Sequence, residues 1–167
     1  MSDSEFIWKD LLTRSEISEW VSNRKEPAKL GTDSGCPGVY RFVFEKSRDG
    51  NCARRPFYVG ESKNVADRIR WHFRPGNDDV ERDRYGKIRM QSGWRVNGNI
   101  LRSNGNFELH ILTIKSRVNF YDVALTQDSF NDVFRRVLIE NWAIVSSRDS
   151  DGFRPLNLQG NKRQRLF

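Results

Sequence analysis

The sequence predicts an α+β fold, a small antiparallel β-sheet flanked by helices, and three observations carry that expectation. Val39 to Glu45 and Phe57 to Gly60 read as paired strands around the turn-forming Asp49-Gly50-Asn51. Phe107-Glu108-Leu109-His110-Ile111-Leu112-Thr113-Ile114 reads as a further, central strand. Phe130, Val133, Phe134, Val137 and Leu138 recur at helical spacing and lead into an apolar run that ends at Val145. With 167 residues, 37% of them hydrophobic and 12% aromatic, the chain buries one sizeable core but hardly two, so a single domain over residues 1–167 is expected.

In chain order, one helix is expected around Glu5 to Leu12 and a second from Arg14 to Asn23, where Thr13 and Glu16 have the spacing of a capping box. Together they would form an N-terminal helical extension over residues 1–30, packed on the domain more often than serving as a helix-turn-helix reader. Gly31 to Gly38, rich in Gly, Asp, Ser and Pro, reads as the loop entering the first strand. A hairpin turn centred near Asp49 sets Tyr40 opposite Tyr58, and cross-strand partners share a face, so two phenols stand side by side.

Asn64 can cap the next helix, with Val65, Ile69 and Phe73 on its inner side. Arg68 and His72, four apart, share a face and can meet one phosphate. Residues 74–106 are too long and too rich in Gly, Asn and charge for a tight connection, and read as an inserted substrate-contact region with a short helix near Val80 to Met90. His110, inside the central strand, reads as a structural histidine. Ser129 is the expected N-cap of the last long helix, and Pro155-Leu156-Asn157 follows the turn at Arg148 to Gly152.

Lys and Arg outnumber Asp and Glu by 29 to 22, a formal charge of +7, which favours a polyanionic partner through steering and counterion release. Nucleic acid fits better than a membrane. Arg74, Arg82, Arg84, Lys87, Arg89, Arg95 and Arg102 are interleaved with Tyr85 and Trp94, and Arg-rich, aromatic-interleaved stretches suit phosphate and base contact. Cys36 and Cys52 lack the paired spacing of a zinc site, and a hairpin would hold them roughly 30 Å apart at about 3.3 Å per residue, so both read as thiols outside any disulfide. No apolar stretch approaches the roughly 18 residues of a membrane span, and the N-terminus lacks the pattern of a signal peptide. A soluble, cytoplasmic protein is the expectation.

Glu140 interrupts Val137-Leu138-Ile139-Glu140-Asn141-Trp142-Ala143-Ile144-Val145, and a carboxylate in such a run is costly to bury unless a cation meets it. A metal ion is the natural candidate. Upstream stand Gly38-Val39-Tyr40 and Tyr58-Val59-Gly60, followed by Asn64 and Arg68. Each tripeptide alone is common in strands. In the order Gly38 to Tyr40, Tyr58 to Gly60, Arg68, Glu140 and Asn157, the set resembles the GIY-YIG nuclease family over residues 38–157. Two departures stand out. Seventeen residues separate Tyr40 from Tyr58, more than is usual in that family, and Glu61 stands where several relatives carry a basic or amide residue, leaving Lys63 as the nearby base.

The resemblance implies a GIY-YIG-like sandwich and a metal-dependent endonuclease acting on double-stranded DNA, sequence-specific in the manner of a restriction enzyme. The alternatives are a nucleic-acid-binding module without cleavage activity, or a structure-specific, repair-type nuclease. It also implies roles: Glu140 holding one Mg²⁺ or Mn²⁺ per active site, Arg68 donating to the phosphate, Tyr58 orienting nucleophile or phosphate, and Asn157 supporting the site. The proton acceptor is Tyr40 or His72. A phenol with an ordinary pKa near 10 needs nearby cations to lower it, whereas a histidine needs no shift. Lys63, Arg74, Arg84, Lys87, Arg89 and Arg95 are the expected substrate contacts, and cutting both strands from one site per chain implies a homodimer or two successive nicks.

Overall fold

In the computed structural model, which describes residues 5–23, 36–48, 51–73, 81–82, 88–89, 107–120 and 122–147, the elements run β1 (Phe6–Thr13), α1 (Arg14–Asn23), β2 (Gly38–Arg48), β3 (Asn51–Ser62) and α2 (Val65–Phe73). There follow β4 (Glu81–Arg82), β5 (Ile88–Arg89), β6 (Phe107–Ile114), β7 (Val118–Phe120), β8 (Val123–Leu125), a 3₁₀ segment (Gln127–Asn131) and α3 (Val133–Ser146). The fold is α+β. Four antiparallel strands form one sheet in the order β1-β6-β2-β3, so β6 is central, as its apolar sequence requires, and β1 and β3 are the edges. Among the described residues no helix is long and apolar enough to cross a membrane.

Strand alternation divides the core between the two faces of the sheet. One layer contains Tyr40, Phe42, Tyr58, Phe107 and Leu109, covered by Ile17 and Trp20 of α1 and by Val65, Ala66 and Ile69 of α2. The other contains Val39, Val59, Leu112 and Ile114, covered by Val118, Leu125 and Phe130 and by Ile139, Ala143 and Ile144 of α3. Both small helices are capped as their sequences indicate. The Thr13 backbone N–H donates to Glu16 Oε2 at 2.8 Å while the Glu16 N–H donates to Thr13 Oγ1 at 3.3 Å, and the Asp67 N–H donates to Asn64 Oδ1 at 3.0 Å.

Four expectations need correction. Glu5 to Leu12 is not helical: Phe6–Thr13 is a strand paired to β6. Its apolar residues at 7, 8, 11 and 12 mimic helical spacing because a bulge between Asp10 and Leu12 shifts the alternation, turning Leu12 into the layer opposite Phe6. The short helix expected near Val80 to Met90 does not include residues 81–82 and 88–89, which pair as strands; the rest of that span lies outside the described residues.

The hairpin register differs as well. Arg48 pairs with Asn51, and a bulge between Phe42 and Val43 skips Phe57, so Tyr40 lies opposite Gly60 and Phe42 opposite Tyr58. The two phenols remain on one face as diagonal neighbours, with ring centroids 6.3 Å apart. Finally, Ser129 lies within the 3₁₀ segment, and the N-cap of α3 is Asp132, whose side chain accepts from the Arg135 N–H at 2.9 Å. The buried side of α3 is Arg136, Ile139, Ala143 and Ile144, while Val133, Phe134 and Val137 face outwards, Phe134 with 83% of its surface exposed. A run this apolar does not specify locally which side turns inwards; a partner for Arg136 does.

Candidate active site

The register of the hairpin explains its glycines. Tyr40 faces Gly60 across the strands, and a Cβ on Gly60 would stand 2.7 Å from both Cζ and Oη of Tyr40 and 3.0 Å from Cε1 of Tyr58. Only glycine lets the phenol lie across β3. A Cβ on Gly38 would approach Val65 Cγ2 at 3.2 Å, so the glycine that opens β2 also admits the start of α2.

Tyr40 is fully buried, and its hydroxyl is 2.7 Å from Nε2 of His72, which is also fully buried. Tyr58 packs against both rings, 5.3 Å from His72 between centroids. Arg68, one turn before His72 on α2, hydrogen-bonds to the phenol oxygen and lays its guanidinium 4.3 Å from the Trp71 ring. The Tyr40 hydroxyl has two acceptors in reach, Nε2 of His72 and the Tyr58 hydroxyl, and Nδ1 of His72 is buried without a hydrogen-bond partner.

Burial, then the neighbouring Tyr58, pushes the Tyr40 phenol well above its ordinary range, and Arg68 draws it back only in part. Burial and then Arg68 push His72 down to about 3. The expectation that His72 needs no shift to act as a base at neutral pH is therefore corrected: it is a neutral ring and a weak proton acceptor.

On the other side of β3, Glu61 and the α3 residues Arg136 and Glu140 come together. Arg136 is buried, donates through Nε to Oε2 of Glu61, and donates through Nη1 to the Phe130 carbonyl at 2.8 Å. Glu140, one turn further along α3 and partly buried, receives a backbone hydrogen bond from Glu61. Burial and the Glu61 carboxylate lift its pKa to about 7, while the Glu61 N–H and the Arg68 guanidinium oppose the rise. Because β3 is an edge strand, side chains from both layers meet around its C-terminal end: Tyr40, Tyr58, His72 and Arg68 from one, Glu61, Arg136 and Glu140 from the other. Partly buried carboxylate oxygens fit a hard cation such as Mg²⁺ or Mn²⁺, which favours their ionised form.

Five of the six expected catalytic residues thus gather at one edge of the sheet. Asn157 lies outside the described residues, as do Arg74, Arg84, Lys87 and Arg95; Arg89 falls in β5, and Lys63 is exposed at the turn into α2. The Glu61–Arg136 pair was not anticipated. Its local signal is the four-residue spacing of Arg136 and Glu140, which sets both on one side of α3.

A second polar group lies on the sheet, where Asp10, Glu108 and His110 bring three potential metal-ligating atoms within 4.8 Å of one another. Arg41, stacked 4.2 Å from the Trp8 ring, directs Nε to Nδ1 of His110 at 3.3 Å. Since Arg41 can only donate, Nε2 of His110 carries the proton and shares it with Asp10 and Glu108, each at 3.1 Å. That is a satisfied hydrogen-bond network with a cation already in it, and the structural reading of His110 fits it. Cys36 is an exposed thiol. No protein-family model, curated protein or solved structure matches this chain.

Proposed function

We propose that this chain is a metal-dependent endonuclease of the GIY-YIG type, hydrolysing phosphodiester bonds in double-stranded DNA. The observation that supports it most is that Tyr40, Tyr58, Arg68 and His72 of the β2–β3–α2 stretch and Glu140 of the distant α3 come together at one edge of the sheet. The +7 charge agrees with a polyanionic substrate.

Hydrolysis requires a base for the attacking water, neutralisation of charge on the phosphate and stabilisation of the departing 3′ oxygen. Arg68 supplies a fork of donors for the phosphate oxygens. Tyr40 is the base in this reading: Arg68 is the group that favours its ionised form, and because burial and Tyr58 hold the phenol well above its ordinary range, a bound divalent ion would have to supply the rest of the lowering. His72 holds the phenol in place and Tyr58 wedges against both rings. A divalent ion, Mg²⁺ or Mn²⁺, held by Glu140 would neutralise charge on the leaving oxygen. Cleavage of both strands then calls for a homodimer or two successive nicks.

Plasmid cleavage with Mg²⁺ or EDTA, with Glu140→Ala alongside, tests the proposal. Discrete, metal-dependent fragments that disappear in the variant are the expected result. The second reading, a nucleic-acid-binding module, draws support from the complete burial of both candidate bases. Tight, salt-dependent DNA binding by a chain that leaves the plasmid intact with every divalent ion, and that also leaves branched substrates and RNA intact, would establish it instead.

A further inference from the structure

We propose that Trp71 is a positioning residue of the cleavage site, its indole holding the Arg68 guanidinium in place to meet the scissile phosphate; this rests on the nuclease reading of the same site. Position 71 has no part in the pattern of Gly38 to Tyr40, Tyr58 to Gly60, Arg68, Glu140 and Asn157. Trp71 follows Arg68 by three residues on α2, a spacing that sets the two side chains next to each other on the helix surface, and both are partly buried. Cζ of Arg68 lies over the indole, 4.3 Å from the ring centroid, and the guanidinium also hydrogen-bonds to the Tyr40 hydroxyl.

Other arginines nearby are held differently. Arg70 pairs with Asp67 and Arg136 with Glu61, so each charge is met by a carboxylate that occupies guanidinium N–H groups. Among the described residues no carboxylate forms a salt bridge with Arg68. A guanidinium has five N–H donors, and the face of an indole attracts a cation through its quadrupole without offering a lone pair. The ring therefore steadies Arg68 without cancelling its charge, and a fork of donors remains for two phosphate oxygens after Tyr40 has taken one N–H. An arginine left loose in water would have to be ordered as the phosphate arrives, whereas one already laid against a ring begins close to the geometry that the reaction needs. Were Trp71 only a cover for the core, any bulky apolar residue would serve in its place, and its loss would be felt with or without Arg68.

The test is single-turnover plasmid cleavage in Mg²⁺ with the full-length protein in excess, for wild type, Trp71→Phe, Trp71→Leu, Arg68→Ala and Arg68→Ala combined with each Trp71 variant. Urea unfolding reports on the fold independently. The maximal rate is expected to fall in the order Trp, Phe, Leu, by about tenfold or more at Leu, while the protein concentration giving half that rate changes little. In the Arg68→Ala background neither Trp71 variant is expected to lower the rate further, because the group that the ring holds is gone. Should Trp71→Leu fail to fold, Trp71→Phe in the two backgrounds carries the same comparison. A wild-type rate in Trp71→Leu, or a loss as large without Arg68 as with it, would overturn the role of Trp71 and leave the nuclease reading standing. A wild-type chain that leaves the plasmid intact with both Mg²⁺ and Mn²⁺ would overturn both.

Discussion

Replacing Glu140 by Gln should make the metal-free protein more stable, by an amount that depends on pH. The side chain has an ordinary pKa of 4.5 and is lifted to about 7 in the fold by burial and by Glu61. Between those values the folded chain holds a proton that the unfolded chain has released, so stability falls as pH rises from 4.5 to 7, with the full penalty present above 7 and none below 4.5. The interval of about 2.5 pH units corresponds, at 1.36 kcal/mol per unit, to about 3 kcal/mol. Gln keeps the shape and an oxygen for the Glu61 N–H but cannot ionise. Its advantage should be near zero at pH 4.5 and approach about 3 kcal/mol at pH 8. Urea unfolding of both proteins in EDTA across this range measures the difference, in which titrating groups that do not interact with Glu140 cancel. Adding Mg²⁺ should stabilise the wild type and leave the variant unchanged. A difference that stays flat from pH 4.5 to 8 would refute the reasoning, because Glu140 would then ionise in the fold as easily as in the open chain.

Three further outcomes follow from the same geometry. Arg68→Ala should lower turnover on plasmid DNA by at least roughly a hundredfold, the usual scale for one electrostatic stabiliser, with an unfolding midpoint near wild type; wild-type turnover would remove Arg68 from the site. Tyr40→Phe retains the ring against Phe42 and Tyr58 but deprives Nε2 of His72 of its partner, so stability should fall by about 1–3 kcal/mol in urea and turnover by a hundredfold or more; a small loss of turnover would move the base elsewhere. Gly60→Ala drives a methyl group to 2.7 Å from the Tyr40 hydroxyl and should cost about 1–3 kcal/mol together with activity, and a neutral result in thermal unfolding would contradict the packing of the phenol over β3.

Local chemistry made several elements legible. The Thr13 and Glu16 capping box, the Asn64 cap and the apolar period of Val65 and Ile69 are decided within a few residues, and the structure follows them. Features decided by distant partners were not readable in the same way. The strand at Phe6–Thr13 exists because β6 offers it an edge, and a single bulge disguises its alternation as a helical pattern. The register that sets Tyr40 over Gly60 depends on where the turn centres and on one skipped residue, Phe57. The inward side of α3 is chosen by Arg136, whose partner Glu61 lies 75 residues upstream and is invisible to any periodicity. The candidate site was legible as residue types in order; the carboxylate pair across β3 and the depressed imidazole of His72 emerged only with the fold.

The seating of Tyr40 in the core has a bearing on how descendants of this chain would change. If the chain cleaves DNA as proposed, a lineage that lost the activity would still need a flat aromatic ring beside Phe42, a glycine beneath it and a compact partner at position 72, because those choices are enforced by packing whether or not any bond is cut. Arg68 and Glu140 are under the opposite pressure: both are charges only partly removed from solvent, and Glu140 weakens the fold above pH 7. Drift in an inactive copy would erase these two first. Their joint presence is therefore a more sensitive marker of a working enzyme than the two tripeptides that draw the eye.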